Sequence, residues 1–111
     1  MEKTSSLKKG YDFSRVYKNG KYFASKYVVL YFIVNKYDEN RIGIVVTKKN
    51  GNSVRRNRIR RLIKESYRLN EFRVKIGYDL VFVSRKNQNI PKFKEIKSEI
   101  EYILKRLSLL K

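Results

Sequence analysis

Neither cysteine nor histidine occurs anywhere in the chain, and only 10 of its 111 residues are acidic. Without cysteine there is no disulfide framework, no thiolate metal site and no thiol nucleophile. Without histidine, the usual neutral-pH general base and a common transition-metal ligand are missing as well. The acids are scattered, with no spaced pair at a strand end, whereas a protein that holds catalytic metals for phosphoryl chemistry needs a cluster of carboxylates. No catalytic residue and no metal-ligating residue is therefore expected in this chain. No run approaches the ~20 apolar residues of a membrane span, and the opening MEKTSSLKKG has no apolar core of signal-peptide length. A cytoplasmic protein without a membrane partner is expected.

The length suits one domain over residues 1–111, with the polar residues 1–10 loose. A hydrophobic content of 41%, including nine tyrosines and six phenylalanines, is enough to build a core. Against the few acids stand 28 lysines and arginines, giving a formal charge of +18. Solubility alone rarely needs a net charge beyond ~8 in a small domain. Such self-repulsion points to a polyanionic partner, nucleic acid ahead of an anionic membrane surface.

Along the chain, Asp12 can cap a short helix carrying Phe13, Val16 and Tyr17, with Gly20 at its stop. Tyr27 to Val34 (YVVLYFIV) is an unbroken apolar and aromatic run, the pattern of a strand covered on both faces. After a turn at Asp38, Glu39 and Asn40, the stretch RIGIVVTK (Arg41 to Lys48) reads as a second strand, and the two are expected to pair as an antiparallel hairpin. A Gly-Asn-Ser loop then leads into helical spacing through Val54, Ile59, Leu62, Ile63 and Tyr67, with Asn52 or Ser53 as N-cap. Tyr78 to Arg85 is a further strand, followed by a polar loop that ends at the single proline, Pro91. Phe93, Ile96, Ile100, Ile103, Leu104 and Leu107 recur at helical spacing and predict an amphipathic final helix.

No acidic residue lies between Asn40 and Lys64, while Arg41, Lys48, Lys49, Arg55, Arg56, Arg58, Arg60, Arg61 and Lys64 all do. On a wheel of 100° per residue, Ile59, Leu62, Ile63 and Ser66 share one face. Arg56, Arg60, Lys64 and Arg68 climb the adjoining side at i,i+4 steps, and Arg58 and Arg61 flank the other. Like charges at that spacing cost a few tenths of a kcal/mol each in a free helix. A helix shaped for stability alone would interleave glutamates, as the final helix does with Glu95, Glu99 and Glu101; here only Glu65 appears. Arginine's planar fork suits phosphate and base edges, so this helix is expected to contact RNA.

Alternation in the aromatic strand puts Tyr27, Val29, Tyr31 and Ile33 on one face. Together with Phe13 and Tyr17 they could line a groove in which unpaired bases stack. Core packing with hydroxyls at the rim accounts for the same residues, and the residues alone favour it.

The segment RIGIVVTKKNGNSVRRNRIRRLIKESYR, Arg41 to Arg68, resembles the central block of the bacterial ribonuclease P protein family. That family's hallmark is an Arg-Asn-Arg helix following a strand that ends in paired lysines and a Gly-Asn turn; here it is Arg56, Asn57 and Arg58. Upstream, Asp12, Phe13, Val16, Tyr17, Gly20 and Tyr31 are similar to the family's first block. Ser53 stands where the family usually has alanine and Lys64 where it often has arginine. The resemblance implies an α/β (α+β) two-layer sandwich of order αβββαβα, a mixed sheet of about four strands similar to ribosomal protein S5 domain 2, and a left-handed βαβ crossover. It also implies the protein subunit of a tRNA 5′-processing ribonucleoprotein, one protein per catalytic RNA, in which the RNA cleaves with Mg2+ and the protein binds no cofactor. Arg55, Arg56, Asn57, Arg58, Arg60, Arg61, Lys64 and Arg68 would contact the catalytic RNA. Phe13, Tyr17, Tyr31, Lys48 and Lys49 would bind the precursor tRNA leader. A ribosomal component or RNA chaperone is the alternative that the same electrostatics would serve.

Overall fold

The apolar run after Tyr27 does form a strand, but its neighbours are not the ones the local pattern predicts. A computed structural model describes all of residues 1–111. The elements are β1 (Thr4–Ser6), α1 (Gly10–Asn19), β2 (Lys21–Ala24), β3 (Val28–Val34), β4 (Asn40–Val45), α2 (Ser53–Asn70), β5 (Tyr78–Ser84) and α3 (Phe93–Arg106). They build one five-stranded mixed sheet in the order β1-β4-β5-β3-β2. β4 lies parallel to both β1 and β5, whereas β3 is antiparallel to both β5 and β2.

The expected hairpin is therefore wrong: β5 inserts between β3 and β4. Leu80, Val81 and Phe82 of β5 are completely buried, so the strand with the most surface to hide from water takes the centre. The turn between β3 and β4 wraps the beginning of β5 instead of closing a pair. Asn35 N–H donates to the Gly77 carbonyl at 2.7 Å. The Asn40 side-chain oxygen accepts from the amides of Gly77 and Tyr78, each at 2.9 Å. The loose N-terminus is corrected too. Thr4 to Ser6 pair with Asn40 to Ile42, and Leu7 is buried, which adds the fifth strand and a leading β to the expected order.

Strand alternation divides the side chains between two faces. On one, Val28, Leu30, Ile42, Leu80 and Phe82 meet Ile59, Ile63 and Tyr67 of α2 and Ile96, Ile100, Ile103 and Leu104 of α3. Each such side chain contributes roughly 1.5–3 kcal/mol by burial. These two layers form the main core. Helix α1 crosses the opposite face, where Val16 packs with Leu7 and Val81, flanked by Phe13, Tyr31, Ile33, Val45 and Val83. Gly43 permits this approach, since a Cβ there would lie 2.5 Å from the Phe13 ring.

Asp12 does not cap α1. Lys9 occupies the N-cap without a side-chain bond, and Asp12 sits in the first turn, where its negative charge interacts favourably with the helix dipole. Asn52 caps α2 as expected, accepting from Arg55 N–H at 2.9 Å. Helix α2 runs back along the sheet and thus links the parallel neighbours β4 and β5 in a βαβ unit.

Candidate nucleic-acid interface

Helix α2 turns Ile59, Ile63, Ser66, Tyr67 and Asn70 inward, which fixes what its other sides present. Arg58, Arg61, Lys64 and Arg68 are exposed, and with Leu62, Glu65 and Phe93 they line an open groove of about 520 Å³ between α2 and the start of α3. The cations of the helix are not equivalent. Arg55 Nη2 donates to the carbonyls of Asn87 at 2.8 Å and Gln88 at 2.9 Å, so it ties the loop after β5 to the helix. Arg68 is not free of acid as its row suggested. Its Nε donates to Glu65 at 2.9 Å, with a second bond from Nη2. That pairing raises the Arg68 pKa and lowers that of Glu65.

Arg56 is half-buried, and its Nε has no partner. Arg60 donates to the Asn57 side chain at 3.0 Å. Arg58, Arg61 and Lys64 form no ion pair, so their charge is open to an external anion. Lys48 and Lys49 lie exposed on a single 3-10 turn, Lys48–Asn50, between β4 and α2.

On the α1 face the structure brings together Phe13, Tyr17 and Tyr31. The Tyr17 and Tyr31 rings meet edge to face with centroids 4.9 Å apart. Tyr22 joins them, 5.5 Å from Tyr31. The sequence reading missed Tyr22, although β2 pairs it directly opposite Tyr31. Tyr17 is 41% exposed and Tyr22 65%, whereas Phe13 and Tyr31 are half-buried against the cluster around Val16, so the outer rings of the strip face solvent and the inner two join the core. Burial, reinforced by the neighbouring Tyr31, pushes the Tyr17 phenol up from its ordinary value. Lys48 and Lys49 stand past the C-terminal end of β4, and neither makes a cation–π contact with these rings.

Asp79 was also missed. Completely buried in β5, it receives Arg41 and Arg15 and the Asn35 amide. Its partners come from α1, β4 and the turn between β3 and β4, so no local spacing announces them. Other acids are likewise engaged: Glu99 accepts the amides of Tyr27 and Val28, Glu95 the Tyr27 hydroxyl, and Glu101 pairs with Lys97. Nowhere do three acidic side chains converge on one point.

Comparison with known proteins shows the family and the fold. The family model described as Ribonuclease P matches residues 1–108. The chain is 49% identical over 108 residues to the ribonuclease P protein component of Clostridioides difficile, covering 96% of this chain and 95% of that one. It is 43% identical over 110 residues to that of Alkaliphilus metalliredigens, with 99% of both chains covered. Among solved structures, the Staphylococcus aureus RNase P protein superposes with a TM-score of 0.85 at 31% identity, covering 96% of this chain and 97% of that one. The Thermotoga maritima RNase P protein gives 0.83 at 32% identity, covering 92% and 96%.

Proposed function

The chain belongs to the ribonuclease P protein family and acts in tRNA 5′ processing, and from that premise we propose how its two surfaces divide the work. Helix α2 binds the catalytic RNA of the holoenzyme through phosphate contacts from Arg58, Arg61 and Lys64, with Arg56, Arg60 and the paired lysines 48 and 49 adding to the same field. The strip of Phe13, Tyr17, Tyr22 and Tyr31 receives unpaired nucleotides of the precursor's 5′ leader by stacking. One protein serves one RNA, in the cytoplasm.

Hydrolysis belongs to the RNA, with Mg2+ coordinated there, and the protein contributes affinity and charge neutralisation. The observation that carries this division is the acid-free run from Asn40 to Lys64, which ends in three exposed cations without an ion-pair partner. By neutralising phosphates where catalytic RNA and precursor tRNA meet, the protein lowers the Mg2+ needed for cleavage.

Reconstitution tests it. Added to a bacterial ribonuclease P RNA at low Mg2+, the protein should restore cleavage at the mature 5′ end of precursor tRNA. The protein alone, treated with nuclease to remove carried-over RNA, should cleave nothing. Cleavage at the mature end by the RNA-free protein would overturn the assignment of chemistry to RNA.

A further inference from the structure

At the end of the sheet where β5 begins lies a recess of about 640 Å³, lined among others by Lys21, Phe32, Lys75, Tyr78, Arg106 and Ser108. We propose that it holds one unpaired nucleotide, base and phosphate together. Its volume falls in the range of ligand pockets, roughly 300–1,000 Å³. No acid lines it, and Lys21, Lys75 and Arg106 are exposed without any ion pair. Half of its lining is apolar. Phe32 and Tyr78 present half-buried rings, with centroids 6.2 Å apart and planes inclined at 60°. Inorganic phosphate would use only the cations and an uncharged aromatic only the rings. A nucleotide uses both.

The recess is separate from the surfaces described above. Strand alternation turns Lys21 and Phe32 to the sheet face opposite Tyr22 and Tyr31. Strand β5 runs from Tyr78 at the recess to Ser84, whose hydroxyl lies 3.4 Å from the Asn50 side chain near the start of α2. Six residue steps at about 3.3 Å each separate those ends by roughly 20 Å. Phe93 of the groove beside α2 and Arg106 of the recess stand at opposite ends of α3, also roughly 20 Å apart at about 1.5 Å per residue. Arg106 also lies in the last turn of α3, where a cation offsets the helix dipole. Lys21 and Lys75 have no such role and are the residues to change.

The occupant has two sources, a free nucleotide or a nucleotide within an RNA chain, and amide chemical shifts of the full-length protein distinguish them. Adenosine 5′-monophosphate should move the signals of Lys21, Phe32, Lys75 and Tyr78, with adenosine and inorganic phosphate each binding at least ten-fold more weakly. A short single-stranded RNA that moves the same signals at lower concentration than the mononucleotide assigns the site to RNA, and the reverse order assigns it to free nucleotide. Lys21→Glu with Lys75→Glu should abolish these shifts while leaving those at Arg58, Arg61 and Lys64 in place. Lys21→Gln with Lys75→Gln, checked by thermal melting, guards against a folding defect. Equal shifts with phosphate alone, or shifts confined to α2 and the tyrosine strip, would overturn the proposal.

Discussion

Arg41 on β4 grips both oxygens of the buried Asp79 on β5, Nε to Oδ1 at 2.9 Å and Nη2 to Oδ2 at 2.7 Å. Arg15 of α1 reaches the same carboxylate, and Arg41 also lies 3.4 Å from Asp12 in the first turn of α1. Two neighbouring strands and the helix that carries Phe13 and Tyr17 are thus fastened at one anion. The contact sets where α1 sits.

The first prediction follows from that anion. Burial pushes the Asp79 carboxyl up, but the Arg41 and Asn35 hydrogen bonds and the charges of Arg41 and Arg15 outweigh it, leaving the pKa below its ordinary value. A carboxylate depressed on folding contributes stability above its unfolded pKa of about 3.9, and loses it as pH falls through the lower folded value. Asp79→Asn should therefore cost on the order of 3 kcal/mol near neutrality, because it strands two arginines against a buried site. The gap to the parent in melting temperature should narrow below about pH 4. A gap that stays constant from pH 7 down to pH 3 would show that packing and not charge is lost.

A second prediction uses the close approach of Gly43 to Phe13. An added Cβ would meet ring atoms at 2.5 and 2.7 Å, so Gly43→Ala must displace the ring or the helix. Overpacking of this kind costs about 1–3 kcal/mol. Adding Phe13→Leu should recover much of the loss, and a double-mutant cycle of melting free energies measures the coupling. Additive losses would show that Phe13 does not rest on Gly43.

Much of this was legible because it is periodic. The inward faces of α2 and α3 follow from i,i+3 and i,i+4 spacing, and the Asn52 cap from its position before that pattern begins. The pairing of β3 and β4 was not. A short polar turn between two apolar runs looks the same whether the strands touch or a later strand enters between them. The choice depends on β5, a distant segment whose burial is greatest. Likewise the three-residue β1 is too short and polar to show a period. Within the site, the Arg68 and Glu65 pairing was readable from i,i+3 spacing. The commitment of Arg55 to Asn87 and Gln88 was not, because it bridges residues more than thirty apart in sequence.

The third prediction concerns Tyr31, which touches both Tyr17 and Tyr22. If a leader base stacks on this strip, Tyr31→Ala should weaken binding of precursor tRNA by roughly 1–3 kcal/mol and leave mature tRNA nearly unaffected. Tyr22→Ala, at an exposed edge position, should show the same selectivity with little change in melting temperature. Equal losses for precursor and mature tRNA would return these rings to a packing role.

The last prediction separates the cations of α2 by what the fold already asks of them. Arg58, Arg61 and Lys64 are exposed and make no ion pair, so their charge does little for the folded protein itself. Arg55, in contrast, holds two loop carbonyls. Each phosphate contact releases condensed counterions and adds up to ~0.9 to the slope of log affinity against log salt for duplex RNA-like partners, or ~0.7 for single strands. Replacing Arg58, Arg61 and Lys64 together by alanine should thus lower affinity for the catalytic RNA and flatten that slope by about 2 units. Stability should hold or rise slightly, since like charges three and four residues apart repel. Arg55→Ala should behave in the opposite way, with a loss of about 1–2 kcal/mol of stability and a slope close to the parent's. Filter binding across a salt series and thermal melts read both halves. If Arg55→Ala flattens the slope and the triple variant does not, RNA approaches the helix from the loop side, and the groove beside Phe93 is not the phosphate-binding face.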